Sequence, residues 1–145
     1  MREVPAAVSV VTTSAGGKQV GLTVTSLVSL SLEPPLVGVA LSRHAALHEL
    51  LREAGRFAVS ILAAGQEGVA QHFARGVPPI GLWSGIEARL GELGLPFLTG
   101  AFGWIECRLA GDHPVGDHTF FVGEVVSVER GPGREALLYV RQAYE

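Results

Sequence analysis

From Gly21 to Leu32 polar and apolar residues alternate. Thr23, Thr25, Ser29 and Ser31 occupy odd positions, and Leu22, Val24, Val28, Leu30 and Leu32 occupy even ones. That is the period of a strand with one apolar face and one hydroxyl-lined face. A solvent-facing strand normally carries charges, yet none falls between Lys18 and Glu33. Small neutral hydroxyls offer donors and acceptors without bulk, which suits a planar polar ligand lying close to the backbone. The same residues equally suit an ordinary half-buried strand. Pro34 and Pro35 then withdraw two amide donors, so pairing stops and the chain turns.

The pattern predicts further strands over Ala7–Thr13, Leu36–Leu41, Phe57–Leu62, Phe102–Leu109, His118–Glu129 and Ala136–Arg141. Ser14 to Lys18 reads as a hairpin loop, and Gly111–Gly116 and Gly131-Pro132-Gly133 read as turns. One helix is expected after Ser42, its N-cap, with Leu47, Leu50 and Leu51 on the inner face and Gly55 closing it. A second spans Gln66–Ala74 with Val69, Ala70 and Phe73 inward. Arg75 to Gly94, rich in Gly and Pro, is read as a long loop with one helical turn at Ile86–Leu90. About seven strands at hairpin spacing with two or three short helices predict a mainly β fold, a closed or nearly closed antiparallel barrel.

Composition narrows the picture. At 145 residues the chain is expected to be one domain, burying about two thirds of its unfolded surface. A hydrophobic fraction of 48% and a mean hydropathy of +0.34 are high, yet no stretch reaches the roughly 18 uninterrupted apolar residues of a membrane span. The surplus apolar surface is expected to be covered by another subunit. A net charge of −3 without a basic cluster argues against nucleic acid or an anionic membrane as partner. A single cysteine, Cys107, excludes an internal disulfide and fits a reducing cytoplasm. The start of the chain has no secretory signal pattern.

Two places could carry chemistry. At Ser42-Arg43-His44 a helix start, its unpaired amides and a guanidinium converge, as an anion site requires; a capped helix with an exposed arginine is the alternative. His118 follows Asp117 at a strand start, where it could be an ordinary half-exposed histidine. His44 and His48 have metal-ligand spacing but no third ligand, and the Cys107, His113, Asp117, His118 group has no paired-ligand signature. In Gly81-Leu82-Trp83-Ser84-Gly85 the serine is one position out of place for a nucleophile elbow. No Gly-x-Gly-x-x-Gly or Walker-type loop occurs.

Three segments carry a family resemblance: Val10-Val11-Thr12-Thr13, Gly21-Leu22-Thr23-Val24-Thr25-Ser26 and Ser29-Leu30-Ser31-Leu32-Glu33-Pro34-Pro35-Leu36, joined later by Asp117-His118 before Val122-Gly123-Glu124-Val125. They resemble the flavin reductase-like family, with its FMN-binding split β-barrel, and the likeness runs essentially end to end. Thr25 stands where the family usually has Asn, and Leu27 where it usually has Phe. The resemblance implies an NAD(P)H-dependent flavin reductase using FMN or FAD with NADH or NADPH. It implies Thr23, Val24, Thr25, Ser26, Ser29, Ser31, Ser42, Arg43 and His44 as flavin-binding residues and His118 as the residue where the nicotinamide docks. It further implies a homodimer that supplies reduced flavin to a monooxygenase. A flavin-binding electron carrier or store on the same fold, or reduction of a heme or iron chelate through bound flavin, are the alternatives.

Overall fold

The computed structural model describes residues 4–74 and 79–145. In chain order the elements are β1 (Ala6–Ala7), β2 (Ser9–Ala15), β3 (Lys18–Val24), β4 (Val28–Leu32), β5 (Pro35–Ser42), α1 (Ala46–Ala54), β6 (Arg56–Ile61), α2 (Glu67–Ala74), α3 (Pro79–Leu82), β7 (Ala88–Leu90), β8 (Pro96–Leu98), β9 (Gly103–Val115), β10 (His118–Arg130), β11 (Leu138–Val140) and β12 (Ala143–Tyr144). The fold is mainly β, as expected. Seven strands form one antiparallel sheet in the order β3-β2-β6-β9-β10-β5-β4, flanked by a β1-β11-β12 sheet and a β7-β8 ribbon.

Short connections make the neighbours. Gly16 and Gly17, at φ 58° and 79°, form the β2–β3 turn and leave exposed Lys18 as the first residue of β3; a two-residue hairpin of this twist needs positive φ at both positions. Pro34 closes the β4–β5 turn, and Pro35 opens β5 opposite Leu32. In α1, Leu47 and Leu51 are buried and Leu50 is half-buried against them, while Gly55 adopts the left-handed conformation and bonds Leu51 O.

The main core lies between the sheet and the helices, with Val10, Val39, Leu41, Leu51, Phe57, Val59 and Phe121 fully buried. Because side chains alternate along β6, Ala58 faces the other way, into a second cluster with Leu95, Phe97, Ala101 and Trp104. Next to that cluster the fully buried carboxyl of Glu106 accepts hydrogen bonds from the Glu92 amide (2.9 Å), the Leu93 amide (2.8 Å) and the Ser127 hydroxyl (3.0 Å).

Four expectations need correction. The alternating run is two strands, because Thr25–Leu27 lies outside the ladders and Ser26 Oγ instead brackets Ala40, accepting from its N–H (2.9 Å) and donating to its C=O (3.1 Å). Ser42 is not the N-cap of α1: it ends β5, held opposite His118 of β10, and the cap position is Ala45, which makes no side-chain capping bond. The helical turn expected at Ile86–Leu90 is found at Pro79–Leu82, and Ala88–Leu90 pairs with β8 instead; Arg75–Pro78 of that expected loop lies outside the described residues. Finally, β9 runs through Gly111 to Val115, the turn falling at Gly116, φ 60°, because β10 continues the ladder and skips Ala110 opposite the Val122/Gly123 bulge.

Among the described residues no helix is long and apolar enough to cross a membrane. The edge strand β4 leaves Val28, Leu30 and Leu32 exposed, Leu32 to 91%.

Candidate functional site

A cavity of about 380 Å³ opens between β3, the Thr25–Ser26 bend, β5 and the start of β10. It is within the roughly 300–1,000 Å³ range of small-molecule sites. Of the sequence candidates it gathers Thr23, Val24, Thr25, Ser26, Ser42 and His118; Leu22 and Ala40 complete it. Among the described residues its lining carries no carboxylate and no guanidinium.

The hydroxyls differ in what they have left to give. Thr23 Oγ1 donates to Ala70 O of α2 (2.7 Å), and Ser26 Oγ is committed to Ala40, so each offers a ligand chiefly a lone pair. Ser42 Oγ accepts from the His44 amide (3.2 Å), which leaves its proton free to donate. Thr25, exposed at the bend, lies next to both kinds. A mixed set of donors and acceptors on small side chains is the chemistry that the polar edge of a fused heteroaromatic ring requires.

At the other wall, His118 is the first residue of β10, paired with Ser42 through β5 and with Val115 through β9. Its Nδ1 donates to Asp117 Oδ1 (2.7 Å), which fixes the ring and leaves Nε2 uncommitted. That hydrogen bond, reinforced by the imidazole's charge, holds the Asp117 carboxyl below the usual carboxylate range.

Ser29 and Ser31 do not join this cavity, because the break at Thr25–Leu27 carries them to the edge strand β4. Arg43 and His44 do not line it either. Arg43 opens instead on a second cavity of about 390 Å³ with His48, Glu49, Arg52, Pro114 and Thr119, while its amide donates to Asp117 O (3.1 Å). There Arg52 is paired with Asp112 (2.7 Å), which lowers the pKa of that carboxyl. His44 sits in the exposed turn before α1. Sequence reasoning missed His48 as a core group. Its signal was a polar residue three positions before Leu51 on the buried face of an amphipathic helix.

A family model described as "Flavin reductase like domain" matches residues 1–145. Among curated proteins, an "NADH-dependent FAD reductase" of Streptomyces globisporus is 41% identical over 138 residues, covering 93% of this chain and 75% of that protein. The "4-hydroxyphenylacetate 3-monooxygenase, reductase component" of Thermus thermophilus is 42% identical over 137 residues, covering 94% and 85%. Among solved structures, the NADH:FAD oxidoreductase of Streptomyces globisporus in complex with NAD and FAD fragments superposes with a TM-score of 0.92 at 37% identity, covering 99% of this chain and 86% of that one.

Proposed function

The chain belongs to the flavin reductase-like family, and on that premise we propose that it is an NAD(P)H-dependent flavin reductase that takes FMN or FAD in the cavity between β3, β5 and His118. The observation that carries this reading is the convergence of Thr25, Ser42 and His118, from three separate stretches of sequence, on one cavity. When bound, the isoalloxazine supplies a two-electron acceptor for the nicotinamide hydride. Thr25 and Ser42 would supply donors to the polar edge of the ring, Thr23 and Ser26 would supply acceptors, and Val24 would contribute backbone and apolar surface. Arg43 and His44, in the turn just past Ser42 and outside the cavity lining, would hold a phosphorylated tail leaving the cavity, Arg43 supplying the countercharge. His118, its ring fixed by Asp117, bounds the face on which the nicotinamide docks; hydride transfer requires no proton from it in the same step. Ser29 and Ser31, away from the cavity, are left out of the flavin set.

The exposed Val28, Leu30 and Leu32 of β4 support a homodimer with this edge covered. The likeness to a monooxygenase reductase component supports delivery of reduced flavin to a separate oxygenase. A lone, buried Cys107 thiol suits the cytoplasm.

The test is anaerobic mixing of the purified protein with NADH and FMN or FAD. The flavin absorbance band is expected to bleach on addition of nicotinamide. Failure of both NADH and NADPH to bleach either flavin would reject the reading.

A further inference from the structure

We propose that His48 of α1 and Thr119 of β10 form a positioning pair for His118, acting from the opposite side of β10 to the flavin cavity. The inference rests on the docking role given to His118 above and adds the residues that hold it in place.

His118 and Thr119 are consecutive on a strand, so their side chains leave opposite faces. His118 lines the flavin cavity, while Thr119, 3% exposed, lines the second cavity. Thr119 Oγ1 lies 2.6 Å from His48 Nε2. His48 is itself only 5% exposed, and its ring is steadied edge-on against Phe121, centroids 5.3 Å apart. Its Nδ1 has no hydrogen-bond partner, and the nearest carboxylate, Glu49, is 3.9 Å away. The one hydrogen bond of this buried imidazole therefore goes to the residue next to His118.

A core position that needed only volume would be filled by a leucine, as at Leu47 and Leu51 on the same helix face; a buried imidazole with one nitrogen unsatisfied is the costlier choice. Its location supplies the reason. His118 begins β10, next to the exposed Gly116–Asp117 turn, where a strand end is prone to fray. Fixing Thr119 to α1 holds the first residues of β10 in register with Leu41 and Ser42, and the alternation of the strand then directs His118 toward the cavity.

The test measures steady-state NADH oxidation with FAD by the full chain, in Thr119→Val, Thr119→Ser, His118→Ala and the double variant T119V/H118A. Thr119→Val is expected to lower kcat/KM for NADH about five- to tenfold, as small misplacements near a reacting centre do, and Thr119→Ser to stay within about twofold of wild type. In the His118→Ala background Thr119→Val should change kcat/KM by less than about twofold, because the two residues act through one group. An equal loss in both backgrounds, or a fully active Thr119→Val, overturns the pair. If His118→Ala is itself fully active, the docking role falls and the pair falls with it; a damaged His118→Ala beside an intact Thr119→Val refutes the pair alone. Should Thr119→Val not fold, His48→Gln, whose amide reaches the Nε2 position, is expected to keep activity that His48→Asn loses; equal activity of those two overturns the proposal.

Discussion

Glu106 and His48 are both buried polar side chains, 0% and 5% exposed, and the fold treats them in opposite ways. Glu106 receives three hydrogen bonds from the Glu92–Leu93 turn and from Ser127. His48 makes one, to Thr119, and leaves Nδ1 unanswered. At Glu106, outside the flavin cavity, the chain completes its buried bonds, because incompleteness there costs stability; among the described residues only Ser9 Oγ in β2 and His48 Nδ1 are buried polar side-chain atoms left without a partner. Beside His118 it tolerates an incomplete one, which is where a functional constraint competes with stability.

The contrast is open to direct attack. Replacing Glu106 by Ala strands two backbone amides and a hydroxyl and opens a void, so stability in urea should fall by about 3–5 kcal/mol. His48→Leu strands only the Thr119 hydroxyl and should cost about 1 kcal/mol; a larger loss for His48 than for Glu106 would break the comparison. Next in size, Ser42→Ala removes one donor from the proposed ring edge and should weaken flavin binding about fivefold, or about 1 kcal/mol, read by quenching of flavin fluorescence, while leaving the urea midpoint in place.

A smaller effect concerns Asp117. Its pKa is lowered first by the hydrogen bond from His118, so its contribution to stability is present above the unfolded carboxylate range and is lost as pH falls through the folded value. In His118→Ala the Asp117 carboxyl signal, followed by NMR, should titrate at higher pH than in wild type; an unchanged titration would remove His118 as the cause. Smallest of all is the reactivity of Cys107. Burial, with the Glu106 charge second, pushes its thiol up to about 12, so iodoacetamide at pH 8 should leave the native protein unlabelled and mark it only after unfolding. Rapid native labelling would mean that the interior next to Glu106 opens.

Local signals made much of the fold legible. Paired glycines at 16 and 17 fix a hairpin, Gly55 stops α1, and Leu47 and Leu51 mark its buried side. What sequence periodicity could not reveal were the exchanges of one kind of pairing for another. The odd-position hydroxyls resume in phase after Thr25–Leu27, and only Ser26, polar at an even position, and Leu27, apolar at an odd one, mark the break. The break exists because Ser26 substitutes its side chain for a ladder partner and reaches Ala40, fourteen positions away. Ser29 and Ser31 were therefore grouped with Thr23 and Thr25, although the bend separates them. Ser42 has the residue type of a cap, but pairing with His118, distant in sequence, keeps it in a strand. Six of the ten candidate site residues line the cavity, and they are those adjoining the bend or the Ser42–His118 pair. Arg43 is not among them because β5 ends at Ser42, and Arg43, in the turn that follows, lines the second cavity.

The β2–β3 turn has a practical use. Lys18, the only lysine of the chain, is exposed at the head of β3, and the carbonyl of the next residue, Gln19, accepts the Trp83 indole N–H (2.8 Å). An amine-directed dye would therefore attach to a single side chain beside one of only two tryptophans. Energy transfer between that pair would report optically on whether the segment after α3 stays seated on the sheet edge while cofactors come and go.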